Sequence, residues 1–135
     1  MSMPLITIGI TCFREGRWLM ECWDSVLAQS DQRWDAVLVM DGGADAETIA
    51  IFRALDHPSL RKYSFDTNVG AYAARNRAFE MSKTPYHLYL DADDRIFPDT
   101  VARAITAFST HPGAAYAFGD YRVFGDVDKR MPMIP

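Results

Sequence analysis

Residues 34–45 read WDAVLVMDGGAD, an apolar run that ends in an acid and two glycines. Trp34 to Met40 is rich in β-branched and apolar residues, which predicts a buried strand. Aspartate and glycine favour turns, and residues 41–43 follow the strand without a break. A helix is then predicted from Asp45 to Leu55, closed by the His57–Pro58 pair. This one stretch therefore predicts a strand, a turn and a helix in succession.

The same alternation extends from this stretch in both directions. Further strands are predicted by short apolar runs at Leu5 to Ile10, Arg61 to Phe65, Tyr86 to Leu90 and, as a fifth, Ala115 to Phe118. Further helices are predicted by amphipathic spacing or end signals at residues 18–27, 70–81 and 98–108. Alternation of this kind needs right-handed crossovers, which give a mostly parallel sheet with helices on both faces. We predict a Rossmann-like α/β fold.

Length, charge and cysteine content narrow the class of protein. The chain has 135 residues, which suits one domain spanning residues 1–135. A net charge of -4, with no block of Lys or Arg, argues against a nucleic-acid surface or a polybasic membrane patch. Cys12 and Cys22 form neither a disulfide framework nor a zinc pattern, so a reducing, cytoplasmic setting is expected. No apolar run is long enough for a transmembrane helix, although work beside the cytoplasmic membrane face stays compatible with the sequence.

Polar clusters follow the predicted strands, at the point where each strand ends. They lie at residues 11–15, 41–43, 66–70 and 91–94. In open parallel sheets, ligands bind beyond the carboxyl ends of the strands. All four clusters should therefore meet at one rim of the sheet, where we predict the binding site.

The fourth cluster belongs to the stretch LYLDADDR at residues 88–95. Asp91 and Asp93 are two residues apart in extended chain, so both side chains leave the backbone on the same side. Crowded carboxylates should have raised pKa values unless a cation or donors join them. Oxygen ligands alone favour Mg²⁺ or Mn²⁺, which commonly complete their shell with phosphate and water. A diphosphate ligand is the economical inference, and the alternative is that these acids only end a strand and begin a turn.

Four ordered segments resemble the nucleotide-sugar-binding half of family 2 glycosyltransferases, which have the GT-A fold. They are ITCFREGRWLMECWDSVLAQS at 10–30, VLVMDGGAD at 37–45, NVGAYAARNRAFEMS at 68–82 and YLDADDRIFPDT at 89–100. The likeness covers nearly the whole chain, and four blocks in order are far more specific than an Asp-x-Asp alone.

The resemblance implies a role for each candidate residue. By resemblance, Asp91 would meet the ribose hydroxyls or the metal, and Asp93 would hold the metal that bridges the donor diphosphate. Asp41 would hydrogen-bond the base, and Thr11, Phe13 and, more weakly, Glu15 would line the same pocket, with Arg75 reaching the base or phosphates. A uracil imide suits an aspartate acceptor, so a UDP-sugar is the favoured donor. Three alternatives stay open: Asp41 as a turn residue, Phe13 as core and Arg75 as a helix-surface partner of some acid.

The implied reaction is sugar transfer with inversion to an acceptor that this half does not identify. In the family the catalytic base lies in a second half, so it is expected beyond Pro135, and the chain is interpreted as a fragment truncated before the acceptor-binding half. Asp120, Asp126 and Asp128 are interpreted as turn and loop acids. An uncovered apolar edge at Tyr116 to Phe118 would favour a homodimer.

Two rival functions come from other classes of protein. The first is a catalytically silent nucleotide-sugar-binding module, which would bind with metal but transfer nothing. The second is a phosphatase in which Asp91 is the nucleophile and Asp93 the acid. The phosphatase is disfavoured because it leaves the first ninety or so residues of the chain without a role.

Overall fold

A computed structural model describes residues 3–133 of the chain. Those residues form two compact units, one through Arg103 and one from Ala104 onward. None of the helices in residues 3–133 combines the length and apolar character that crossing a membrane requires.

The first unit alternates strands and helices as the sequence predicts. Its strands are β1 (Ile6–Cys12), β2 (Trp34–Met40), β3 (Leu60–Ser64) and β4 (Tyr86–Asp91). Its helices are α1 (Trp18–Leu27), α2 (Ala46–Ala54) and α3 (Ala71–Glu80), while α4 (Thr100–Thr110) begins in the first unit and ends in the second. The four strands and four helices confirm the predicted elements, with ends that differ by one or two residues.

The four strands form one parallel sheet in the order β3-β2-β1-β4. The chain builds outward from β1 to β3 and then returns to place β4 on the other side of β1. Strand order therefore reverses between β1 and β4, where Thr11 lies in register with Asp91. This point of reversal is where open parallel sheets bind ligands. The predicted fold class is confirmed.

Helices cover both faces of the sheet. On one face, Val37 and Val39 are fully buried against Ala74 and Ala78 of α3. Gly9 lets α3 and β4 come close, because a Cβ at this position would lie 2.7 Å from the His87 ring and 3.1 Å from the Ala78 Cβ.

The other face of the sheet packs against α1. Trp23 of α1 meets Trp34 of β2 edge to face, with 6.0 Å between ring centroids. Burial on both faces explains why β1 and β2 read as continuous apolar runs rather than as alternating patterns.

The second unit differs from the prediction. No strand forms at Ala115 to Phe118, so the predicted fifth strand is wrong. Instead, β5 (Tyr121–Val123) and β6 (Lys129–Met131) form an antiparallel hairpin. The apolar run at residues 115–118 finds no neighbouring strand in the structure, and Tyr116 and Phe118 are exposed with their rings stacked on each other. The homodimer was expected because of an uncovered strand edge at these residues. It stays a prediction, but that reason for it is lost because no strand forms there.

Two acids of the second unit form ion pairs with arginines of the hairpin, and a third lies in its bend. Asp128 pairs with Arg122, and Asp120 pairs with Arg130 across the two strands. These hydrogen bonds hold the pKa of each carboxyl below its usual range. Asp126 lies in the bend between β5 and β6, after Gly125 at φ 105°. The interpretation as turn and loop acids is confirmed.

His87 of β4 is expected to make the stability of the fold depend on pH. Its ring contacts Phe79 and Tyr89, and both ring nitrogens are buried without a hydrogen-bond partner among residues 3–133. Burial lowers the pKa of His87, and nearby Asp35 only partly opposes this effect. The unfolded chain, with a histidine pKa of about 6.5, therefore binds the proton more readily than the folded chain.

Stability is consequently expected to be fully present above about pH 6.5 and to fall as the pH drops below it. Between pH 7.5 and 5.5 the loss due to His87 should reach about 1 kcal/mol, because the lower pH lies only about one unit below the pKa of an unfolded histidine and one unit corresponds to about 1.4 kcal/mol at most. Urea unfolding at the two pH values checks this. His87→Leu should flatten the dependence, and His111→Leu at an exposed position should not. Equal slopes for wild type and His87→Leu would contradict the assignment.

Candidate donor-binding site

A cavity of about 400 Å³ lies at the carboxyl ends of the strands. Its walls come from all the predicted polar clusters and from the first turns of α3. The lining residues are Thr11, Cys12, Phe13, Glu15, Asp41, Asn68, Gly70, Ala71, Ala74, Arg75, Asp91 and Asp93. Every predicted site residue is among them, so the convergence predicted from the sequence is observed, while the role of each residue stays a prediction.

Arg75 and Asp91 form a fork-shaped ion pair in this cavity. The Arg75 Nη2 donates to both Asp91 carboxylate oxygens at 2.9 Å, and its Nε donates to Oδ1 at 3.3 Å. The Thr11 hydroxyl donates to the same Oδ1 at 3.4 Å. The hydrogen bonds to Asp91 raise the pKa of Arg75. The alternative in which Arg75 pairs with an acid is therefore observed, and that acid is Asp91, which is itself a predicted ligand residue.

The acids that follow Asp91 are placed differently from one another. Ala92 is fully buried, whereas Asp93 is exposed at the cavity. The Asp94 N–H donates to the Asp91 carbonyl at 3.0 Å, which closes the turn. Burial, with help from Asp93 and Asp91, raises the pKa of Asp94. A raised pKa, as expected for a crowded carboxylate, is thus found at Asp94.

Asp41 joins two loops of the rim. Its carboxylate accepts from the Gly42 and Val69 N–H groups at 2.8 Å each, from Gly70 N–H at 3.0 Å and from the Asn68 amide at 3.2 Å. A carboxylate has about four acceptor positions, so these donors engage all of them. Asp41 is also 5% exposed. Its turn role is therefore observed, and it additionally anchors the loop before α3.

Glycines allow these loops to touch. A Cβ on Gly42 would lie 2.1 Å from the Thr67 carbonyl carbon, so only glycine fits between the two backbones. Gly70 has φ 88°, a left-handed conformation that glycine adopts freely, and α3 begins at the next residue. The start of α3, and with it the placement of Arg75, depends on the close approach of Gly42 to Thr67 and on the conformation of Gly70.

Phe13 and Glu15 shape the wall that follows β1. The Phe13 ring is half-buried and lies about a van der Waals contact from Gly43, where an added Cβ would be 3.8 Å away. It lines the cavity and carries the Arg14 guanidinium 4.8 Å from its centroid, so it is not plain core. Glu15 curls back to accept from the Phe13 N–H. Its carboxylate is thus engaged in holding its own loop.

Two further lining residues carry functional groups. Asn68 donates its amide N–H groups to Asp41 and to the Gly42 carbonyl, which leaves its amide oxygen to accept. Sequence reasoning did not name Asn68, although it opens the segment NVGAYAARN directly after β3 at the predicted rim. Burial raises the pKa of Cys12 to about 12, with a smaller contribution from Glu15. The thiol is therefore unreactive at neutral pH, as its isolated position in the sequence suggests.

The metal-ligand atoms that the cavity offers fit a hard divalent cation. Residues 3–133 contain no group of three or more His, Cys, Asp or Glu side chains placed to hold a metal. Asp91 and Asp93 together offer carboxylate oxygens and no nitrogen or sulfur. Mg²⁺ is typically held by one or two protein carboxylates, with phosphate and water supplying the rest. The site suits a cation that arrives with a phosphate ligand.

Solved structures share this fold. S. aureus TarS matches with a TM-score of 0.71 and 20% identity, over 80% of this chain and 33% of that chain. The mannosyltransferase PcManGT from Pyrobaculum calidifontis, solved in complex with GDP-Man and Mn²⁺, matches with a TM-score of 0.69 and 23% identity, over 80% of this chain and 33% of that chain. TarS has also been solved with UDP-GlcNAc. The fold is that of the GT-A glycosyltransferases.

The family model for glycosyl transferase family 2 matches residues 7–134, and the chain belongs to that family. Among its relatives, a PGL/p-HBAD biosynthesis glycosyltransferase of Mycobacterium bovis is 32% identical over 124 residues, which are 89% of this chain and 48% of the relative. A teichoic acid poly(glycerol phosphate) polymerase of Staphylococcus epidermidis is 28% identical over 113 residues, which are 82% of this chain and 16% of the relative. The chain thus spans about half of the first and about a sixth of the second. Membership in this family also leaves the phosphatase alternative without support.

Proposed function

We propose that this chain is the donor-binding part of a glycosyltransferase, which holds a nucleoside diphosphate sugar together with Mg²⁺ or Mn²⁺. The observation that carries the proposal is the convergence of all seven predicted residues on one cavity, at the reversal of strand order between β1 and β4. The family match and the nucleotide sugars bound by solved neighbours support the same ligand class.

The cavity suggests a division of roles. Asp93, joined by Asp91, would hold the cation against the diphosphate. Phe13 offers an aromatic face against which a base can stack. Asn68 lies on the same wall, and its amide oxygen is available to accept from the imide N–H of a uracil base, whereas the Asp41 carboxylate is already engaged by its own loops. A UDP-sugar stays the favoured donor.

The reaction we propose is sugar transfer with inversion at the anomeric carbon. The cation, when bound, would neutralise negative charge on the departing nucleoside diphosphate. The guanidinium of Arg75 lies in the same cavity and adds positive charge where phosphate would sit.

A base must also deprotonate the acceptor, and none is assigned among the acids of residues 3–133. Asp41 and Glu15 hold their own loops, and Asp120 and Asp128 are paired with arginines. We place the base, and the acceptor site, in a part of the enzyme outside this chain.

A silent binding module is the second candidate, because no base is assigned among the acids of residues 3–133. Both candidates bind the donor, and neither predicts sugar transfer by this chain alone, because no base is assigned within it. Incubation with UDP-sugars and Mn²⁺, followed by measurement of released UDP, tests this expectation. Hydrolysis or transfer by this chain alone would exclude the silent module and would contradict the placement of the base outside the chain.

Donor binding is expected to depend on Asp93. Calorimetry with UDP, GDP and other nucleoside diphosphates in the presence of Mn²⁺ should show saturable binding to wild type. Chelation, or Asp93→Ala, should weaken it about tenfold or more, because phosphate then loses its bridge to the protein.

Asp56→Ala is the matched control for this experiment. Asp56 is an exposed aspartate in the loop between α2 and β3, at the opposite rim of the sheet, so its loss should leave binding unchanged. Equal affinity with and without metal, or equal losses in Asp93→Ala and Asp56→Ala, would refute the metal bridge.

A further inference from the structure

We propose that Arg75 is a resident cation that competes with the divalent metal for Asp91, so that the metal binds well only when a nucleotide draws Arg75 away. This inference rests on the proposed function and deepens it. It makes the binding of metal and nucleotide mutually dependent.

The first support is the geometry of the pair. Arg75 Nη2 reaches both Asp91 oxygens at 2.9 Å, and Nε adds a third bond at 3.3 Å. Fork-shaped pairs of this kind are among the stronger hydrogen-bonded ion pairs in proteins. Both oxygens that would coordinate a cation therefore face a positive charge already present in the protein.

The second support is what the pair leaves for a metal. With Asp91 engaged, Asp93 is the exposed carboxylate that lines the cavity. No cluster of three metal-binding side chains is found in the described range, residues 3–133. One carboxylate in a wet cavity is a weak site for a cation that is reluctant to lose its water.

The third support is that the Arg75 side chain is partly exposed and that its guanidinium can bind a phosphate instead of Asp91. Its side chain is 34% exposed, and its guanidinium lies 5.8 Å from the ring centroid of Tyr72, which is itself 81% exposed. The planar guanidinium fork also matches phosphate, so a diphosphate in the cavity would attract it. Movement of Arg75 onto phosphate would release Asp91 to join Asp93 at the metal. By linkage, the metal would then favour the nucleotide as much as the nucleotide favours the metal.

The test is a double-mutant cycle of Arg75 and Asp91, in which Mn²⁺ binding is measured without nucleotide. Electron paramagnetic resonance reports the concentration of free Mn²⁺ during each titration. Arg75→Gln is expected to tighten Mn²⁺ binding about fivefold, because Asp91 becomes available. In an Asp91→Asn background the same change should give no gain, since no carboxylate is released. Arg75→Met should repeat the Arg75→Gln result with a different side chain.

Arg77→Gln is the matched control on the same helix. Arg77 packs 4.3 Å above the Tyr63 ring and pairs with Glu80, and it does not line the cavity. Its loss removes one positive charge and should leave Mn²⁺ binding unchanged.

The outcomes separate this inference from the proposed function. If Arg75→Gln and Arg75→Met do not tighten Mn²⁺ binding, Arg75 does not compete with the metal. An equal gain in Mn²⁺ affinity in the Asp91→Asn background would also overturn the competition, because the gain would then come from the loss of a positive charge and not from the release of Asp91. A second titration of wild type with UDP present tests the function itself. Mn²⁺ affinity that does not rise with UDP would overturn both, whereas a rise combined with a failed cycle overturns only the role of Arg75.

Discussion

Gly42→Ala is expected to lower the free energy of unfolding by about 3 kcal/mol or more, and to lower the melting temperature by on the order of 10 °C. The added Cβ would lie 2.1 Å from the carbonyl carbon of Thr67 and 2.4 Å from its oxygen. Both are backbone atoms, so no side-chain rotation relieves the clash. The loop at residues 67–70 must move, and this movement breaks its hydrogen bonds to Asp41.

Gly113→Ala is the matched control, because a Cβ there meets no atom within 4 Å and the residue has no positive φ. It should leave stability unchanged or raise it by a few tenths of a kcal/mol. Thermal and urea unfolding of both variants measure the difference. Similar stability of Gly42→Ala and Gly113→Ala would contradict the tight contact between the two loops.

Asp41→Ala is expected to cost about 3 kcal/mol of stability. The substitution removes one nearly buried carboxylate and leaves three backbone N–H groups and the Asn68 amide without their acceptor. Each buried donor left unsatisfied costs on the order of 1–3 kcal/mol, and water entering through the open cavity offsets part of the sum. The start of α3 should loosen as well, so nucleotide binding should weaken together with stability.

Asp41→Asn should lose roughly half as much, because it keeps one acceptor oxygen and the shape of the side chain. Asp66→Ala, at an exposed acid of the same rim, should change stability by less than about 0.5 kcal/mol. Urea unfolding at pH 7.5 compares the three variants. An Asp41→Ala protein as stable as Asp66→Ala would show that the loop before α3 is held by other contacts.

The fold could be predicted because its signals are local. WDAVLVMDGGAD contains a strand, a turn and a helix start, and the helix indeed begins with Asp45 accepting from the Thr48 N–H at 3.1 Å. The rule that parallel strands share a carboxyl rim then places Thr11, Asp41 and Asp91 together without any knowledge of side-chain contacts.

The predicted fifth strand that does not form, and the hydrogen bonds that the sequence did not predict, both depend on contacts between distant segments. Ala115 to Phe118 has the composition of a strand, but a strand exists only with a neighbour to pair with, and composition does not identify that neighbour. The Arg75–Asp91 bond spans 16 residues, and Asp41 reaches Gly70 over 29 residues. Both depend on where α3 packs against the sheet, so the sequence indicated which residues share the cavity but not which of them bind one another.

Donor binding as proposed requires Asp93, joined by Asp91 at the end of β4, to hold a cation that in turn holds the diphosphate. A crystal structure of the chain with UDP and Mn²⁺, using the anomalous signal of manganese, would locate that cation. One manganese peak is expected at about 2.1 Å from an Asp93 oxygen and from oxygens of the diphosphate, with the nucleobase against the Phe13 ring. UDP bound in the cavity with no manganese beside Asp93, or UDP bound outside the cavity, would rule out this cation bridge.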